Sequence, residues 1–187
     1  MHGLQMLQIQ PGEHVLEIGC GTGESLPVLN SCVDSMGRIF GLDLSAGMLG
    51  IAKNKVKRLS LSNVDFLQGD GLHLPFPDKS LDAIFMSFTL ELLPATEIPF
   101  VLQECKRVLR DDGRIGIVTL LQKEDPGWMD KLYTWAHYRW PHVIDCRPIP
   151  IESIVRNAGF ENSRLREMSM WGLAIGILVA TKIPVQK

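Results

Sequence analysis

"EHVLEIGCGTGESLP", residues 13–27, decides how the rest of the chain is read. Val15 to Ile18 is a short apolar run that stops at glycine, the pattern of a strand buried on both faces. Gly19, Gly21 and Gly23 then occupy alternate positions. Glycine lets a backbone turn sharply, and it lets a second molecule approach main-chain atoms that a Cβ would cover. A backbone this bare, directly after a buried strand, predicts a ligand-binding turn that feeds a helix.

Working outward, Glu24–Asn30 predicts that helix, with Glu24 in the first turn where its charge suits the dipole. Arg38–Leu42 predicts a second strand, ending at Asp43. Ser45 is placed to cap a helix carrying Met48, Leu49, Ala52 and Val56 on one face. Val64–Leu67 predicts a third strand and "LDAIFMSF" a fourth. "PFVLQECKRVLR" spaces Val101, Leu102, Cys105, Val108 and Leu109 as a helix does, and "DDGR" predicts a turn into the strand "IGIVTL". Further on, a helix over about Ile151–Ala158 ends at Gly159. "SRLREMSM" and "LAIGILVAT" lie either side of "WG" as a closing hairpin does.

Strands that alternate with helices imply parallel pairing. The expected fold is α/β and Rossmann-like: a doubly wound, mostly parallel seven-stranded sheet with a C-terminal antiparallel hairpin strand. One domain is expected over residues 1–187, with an aromatic-rich insertion at about 122–150. At 187 residues the chain can bury a core without staples. A net charge of -2 gives no general pull toward nucleic acid. The cluster Lys53, Lys55, Lys57 and Arg58 is expected to be the solvated face of a helix. Cys20, Cys32, Cys105 and Cys146 form no CxxC pair, which fits reduced thiols and a cytoplasmic protein. "MHGLQMLQIQPG" lacks the features of a signal peptide, and "WGLAIGILVATK" is too short to span a bilayer.

Phosphate, dinucleotide and S-adenosylmethionine loops share the outline of a glycine turn after a strand. A phosphate loop of the Walker type needs a Lys-Ser or Lys-Thr ending, which is missing here. A dinucleotide loop wants G-x-G-x-x-G around a pyrophosphate. Here the spacing is E-x-G-x-G-x-G, and Glu17 and Glu24 favour a cation over a pyrophosphate. Asp43 is placed to accept ribose hydroxyls in either kind of nucleotide site. Asp70, an acid after the third strand, can accept an adenine amino group.

"VLEIGCGTG", "GLDLSAGML", "GDGLHLPFPDKSLDAIFMSF" and "ECKRVLRDDGRIGIVTL" resemble, in order, the successive motifs of class I S-adenosylmethionine-dependent methyltransferases. The resemblance runs from roughly Pro11 to Leu120 and implies S-adenosyl-L-methionine as cofactor. It implies that Gly19, Gly21 and Gly23 approach the methionine part, beside Glu17 and Cys20, and that Asp43 binds the ribose. It places Asp70 and the backbone of Gly71 or Leu72 at the adenine, Leu44 or Met48 against its face, and Ser87 beneath the methionyl end. The family usually carries one or more helices before the glycine strand. This sequence has room for one short helix there, around Leu4–Leu7, so the cover over the acceptor is expected to be short or supplied by a partner.

A sulfonium carries its own activated methyl, so no metal and no covalent nucleophile is expected. His137, His142 and Cys146 match no common zinc spacing. If a proton must be removed, the candidates are Glu91, His73, His137, His142 and Asp145. "GWMDKLYTWAHYRWPHVIDCRPIP" holds Trp128, Trp135, Trp140, Tyr133 and Tyr138 among Lys131, Arg139 and Arg147. Tyr133, Tyr138 and Arg147 are the expected acceptor contacts, suited to a flat or greasy molecule; ordinary core packing accounts for part of the aromatic set. "GTGESLP" and "VIDCRPI" lean toward methyltransferases of quinone biosynthesis, with phosphatidylethanolamine-type N-methyltransferases as the alternative. A non-catalytic S-adenosylmethionine-binding module and a nucleotide-binding oxidoreductase are the competing classes. The expected partner is a small-molecule or lipid-like acceptor, not nucleic acid. Contact with a membrane surface and homodimer formation stay open.

Overall fold

The computed structural model describes residues 2–122 and 147–182. Its strands are β1 (His14–Ile18), β2 (Arg38–Asp43), β3 (Val64–Gln68), β4 (Leu81–Ser87), β5 (Leu109–Leu120), β6 (Phe160–Met170) and β7 (Leu173–Lys182). The helices are α1 (His2–Leu7), α2 (Leu26–Val33), α3 (Ala46–Arg58), α4 (Ile98–Val108) and α5 (Ile151–Asn157). The described strands form one sheet in the order β3-β2-β1-β4-β5-β7-β6. β3 through β5 are parallel, and β7 runs antiparallel to both β5 and β6. This is the doubly wound, seven-stranded sheet with a closing hairpin that the sequence predicts.

Alternation along the strands builds two cores. On β1, Leu16 and Ile18 join the core shared with α4 and α5, while Val15 joins the core shared with α1, α2 and α3. On β4, Ile84 and Met86 face the first core, and Ala83 and Phe85 the second. Each fully buried Leu, Ile or Phe contributes roughly 1.5–3 kcal/mol. A one-residue slip would exchange both sets at once, so register is firmly specified.

Three local expectations shift. Helix α2 begins at Leu26 rather than Glu24, because Pro27 lacks an N–H and suits the first turn of a helix. On α3 the Ser45 hydroxyl accepts from Met48 N at 3.3 Å as the cap, and Leu49, Ala52 and Val56 are buried, but Met48 stays 44% exposed. "DDGR" is not a separate turn. β4 advances from Leu81 to Ala83 while β5 advances from Leu109 to Arg114, so the segment is a bulge inside β5.

Helix α1 is short but fastened. Arg114 on β5 donates to the carbonyls of Leu7 (2.5 Å) and Gln8 (2.7 Å), and its guanidinium forks onto Glu13 at 2.9 and 2.7 Å. Both side chains of that pair are largely covered, so the two-pronged geometry is well sheltered. Among the described residues no helix is long and apolar enough to cross a membrane.

Candidate functional site

β1 and β4 lie side by side at the point where the strand order reverses, which opens a crevice at their carboxyl ends. The glycine loop leaves β1 there. Its three glycines do different work. A Cβ on Gly19 (φ +70°) would collide with the side chain of Thr89. A Cβ on Gly23 (φ +73°) would lie 2.7 Å from Leu26 Cδ1 and 3.2 Å from Ala52 Cβ, so this glycine lets α2 close onto α3. A Cβ on Gly21 (φ +50°) would meet nothing within 4 Å. Two glycines make room for protein, and the third faces open space.

Asp43 ends β2 and spans two loops. Its Oδ2 accepts from Gly21 N at 2.8 Å and its Oδ1 from Ser45 N at 2.9 Å. Each carboxylate oxygen keeps a second lone pair for a ligand hydroxyl. Glu17 is 3% exposed on the α2 face of β1, and the Ser25 hydroxyl donates to its carboxylate, at 2.5 Å to Oε1. Burial drives the Glu17 pKa up to about 8; the Ser25 bond opposes this and the Asp43 charge adds to it. Such a carboxyl is poised to ionise when a cation arrives.

The other acid of the loop is not part of this pair. Glu24 accepts from Lys55 and Thr22, first of all from Lys55, and its pKa falls. Lys55, expected on a solvated face, has its side chain only 14% exposed. Cys20 is buried with its sulfur against Gly41, so its thiol points to β2 and not into the crevice. Burial first, then Glu17 and Asp43, push that thiol up to about 12, which keeps it unreactive.

On the β3 side, Asp70 Oδ1 accepts from Leu72 N at 3.0 Å, a local turn that presents Gly71 and Leu72 at the rim. Leu44 (65% exposed) and Met48 offer apolar surface nearby in sequence to Asp43. Arg107 on α4 fastens the loop beyond. It donates to the carbonyls of Leu74 and Phe76 and to Asp78 and Glu104, while Glu104 accepts from Leu74 N. His73 is exposed on this loop.

Ser87 ends β4 and lines a cavity of about 430 Å³ together with Ser25, Leu4, Phe85, Val118 and Met168. Among the described residues His2 and Glu24 also line it, and no lysine or arginine does. Its walls, among the described residues, are α1, the start of α2, the carboxyl ends of β4 and β5, and the β6–β7 hairpin. Neither Glu91 nor His73 is among its lining residues. Glu91 sits 1% exposed in a short 3-10 helix, Leu90–Leu92; its Oε1 accepts from Leu120 N at 3.3 Å. Burial raises its pKa.

Arg147 does not join Ser87. It donates to the Leu93 carbonyl at 2.7 Å and lines a different cavity, of about 440 Å³, with Ile98, Ile149 and Ile154 on the α4–α5 face of the sheet. Tyr133, Tyr138, His137, His142, Asp145 and Cys146 lie outside the described residues, as do Trp128, Trp135 and Trp140. Among the described residues no group of histidine, cysteine and acidic side chains has the arrangement of a metal site.

Sequence reasoning missed Ser25, Thr89 and the hairpin wall. Ser25 lay within the quoted stretch, one residue from Glu24. Thr89 and Met168 carry no local signal, because their role depends on which strands the topology brings together.

Comparison with known proteins follows the same lines. A family described as "Methyltransferase domain" matches residues 15–113. A demethylmenaquinone methyltransferase of Listeria welshimeri is 32% identical over 138 residues, 74% of this chain and 58% of that protein. One from Lactobacillus johnsonii is 35% identical over 95% of this chain and 80% of the relative. The chain thus spans a little over half the length of the Listeria relatives it matches. Among solved structures, an S-adenosylmethionine-dependent methyltransferase from Aquifex aeolicus superposes with a TM-score of 0.71 at 26% identity, covering 96% of this chain and 87% of that one.

Proposed function

The chain belongs to the class I S-adenosylmethionine-dependent methyltransferases, and from that membership we propose that it methylates an apolar, quinone-precursor-like small molecule. The observation that carries this reading is the cavity at Ser25 and Ser87, apolar along most of its wall and adjoining the glycine loop.

The residues present fit the family's cofactor. Gly21 leaves open space along the loop, Glu17 offers a buried carboxylate to an ammonium, and Asp43 offers two lone pairs to a ribose diol. Asp70, Gly71, Leu72, Leu44 and Met48 form the adenine side of the same reading. S-adenosylmethionine, when bound, supplies an electrophilic methyl group. The chain's own work is then positional. Leu4, Phe85, Val118 and Met168 exclude water and hold a flat acceptor with its nucleophilic carbon toward Ser87, at near-attack distance. Transfer of that methyl to the acceptor carbon would leave the demethylated cofactor, and the proton displaced from the ring would pass to solvent or to a base.

The lining discriminates between acceptors. A phospholipid headgroup would need a basic partner for its phosphate, and among the described residues neither lysine nor arginine lines the cavity. This favours carbon methylation of a quinol over N-methylation of phosphatidylethanolamine. The relatives' printed names agree in kind.

The test is incubation with methyl-labelled cofactor and either a reduced, demethylated naphthoquinone or phosphatidylethanolamine. Label is expected in the extracted naphthoquinol. Label in the phospholipid alone would overturn the acceptor. Cofactor binding without transfer to any extractable acceptor would leave a binding module instead.

A further inference from the structure

The β6–β7 hairpin closes with a two-residue turn, Trp171-Gly172, between the paired residues Met170 and Leu173. Both turn residues have positive φ, +51° and +83°. Such turns are ordinarily made by asparagine, aspartate or glycine, for which the left-handed conformation is cheap. A tryptophan there is doubly unfavourable: its Cβ strains the backbone, and its ring is 85% exposed.

The strand leading to it is patterned. From Arg164 to Met170 the pairing with β7 is unbroken, so Arg164, Arg166, Met168 and Met170 alternate onto one face. That face is the α1 side, because Met168 and Met170 line the cavity at Ser87. Both arginines are exposed. Because β7 lies antiparallel to β5, with Leu120 opposite Ile175, the tip stands at the same end of the sheet as the glycine loop. One continuous strip therefore runs from two cations, through two methionines at the cavity, to an exposed indole.

We propose that this strip is a membrane-docking element: Trp171 and Met170 insert at the headgroup boundary of an anionic bilayer, with Arg164 and Arg166 against its phosphates. Exposed indoles favour that boundary, and arginines beside it gain from the negative surface potential. A bilayer is chosen over a second copy of the chain because the apolar part is narrow, one indole and its neighbouring methionine, while the rest of the strip is cationic. Docking would set the cavity's hairpin wall against the phase that holds lipophilic quinols. This use of the surface rests on the proposed acceptor; the docking itself does not.

Sedimentation with phosphatidylcholine vesicles, with and without phosphatidylglycerol, tests it in the absence of cofactor and acceptor. Binding is expected only when phosphatidylglycerol is present, and weakening with salt. Trp171→Gly should lower binding at least about fivefold. Arg164→Gln with Arg166→Gln should lower it about tenfold or more. The melting temperature separates this from a structural role, because Trp171→Gly should leave it unchanged or raise it by relieving the turn. No binding by the parent chain, or equal binding by Trp171→Gly, overturns the proposal. So does a change from dimer to monomer in that variant with vesicle binding intact. Vesicle binding by a chain that transfers no methyl would fail the methyltransferase reading alone.

Discussion

The two halves of the crevice are built on opposite plans. On the β1–β3 side, the candidate groups are tied within a loop or between neighbouring loops: Asp43 to the main chain of Gly21 and Ser45, Asp70 to that of Leu72, and Glu17 to the Ser25 hydroxyl. On the β4–β7 side, the cavity wall is assembled from Leu4, Phe85, Val118 and Met168, which share no segment. The first half is organised by hydrogen bonds over short sequence distances. The second is organised by topology and apolar contact. Substitutions should therefore fail differently on the two sides.

The largest effect is expected at Gly19→Val. The branched side chain would need a left-handed backbone and the space held by Thr89, so a loss of about 3 kcal/mol or more of stability is expected by denaturant titration. Gly21→Ala has open space and should cost only about 1 kcal/mol in stability while reducing cofactor affinity, as calorimetric titration would register. Equal unfolding by both would erase the distinction between the glycines.

Next comes Glu17→Gln. A carboxyl whose folded pKa is raised to about 8 holds its proton in the folded state while the unfolded chain ionises near pH 4.5. That contribution to stability is fully present below pH 4.5 and is lost as pH rises through 8. Glu17→Gln should flatten this slope, with a difference on the order of 5 kcal/mol across the window, and should also weaken cofactor binding. A melting temperature whose pH dependence is unaltered by the substitution would refute the assignment.

Asp43→Ala comes after that, weakening cofactor affinity by about 1.5–3 kcal/mol for bonds to a charged group, with some loss of loop order. The smallest effect is expected at Met168→Ala in the hairpin wall. It should lower kcat/KM toward an apolar acceptor by roughly tenfold and leave cofactor affinity nearly intact. If Met168→Ala weakened the cofactor as much as Asp43→Ala does, the two halves would not be separable.

The same contrast explains what the sequence disclosed. Residues 13–27 announced strand, turn and helix because every signal in them is local, and the order of later motifs announced the sheet. The loop positions of Asp43 and Asp70, at the end of β2 and just past β3, followed from the same local signals. Even so, the helix start moved to Leu26 because Pro27 outweighs an acid in the first turn, and Glu24 turned to Lys55, 31 residues away. Thr89 was invisible, since nothing near it states that β4 will lie beside β1. The aromatic stretch drew attention by composition alone and lies outside the described residues; among those described, the cavity that adjoins the glycine loop is walled by α1 and the hairpin.

The Arg114 fork onto Glu13 joins positions 101 residues apart. A chain emerging from the ribosome makes α1 long before β5 exists to receive it. Until residue 114 is available, Leu4 and Leu7 have no strand β5 to cover and Glu13 has no guanidinium. Contacts of such separation form late, because loop closure must precede them. Helix α1 is thus made early and docks late, and during translation the apolar faces of α1 and β1 remain open to chaperones or to pairing with another nascent chain.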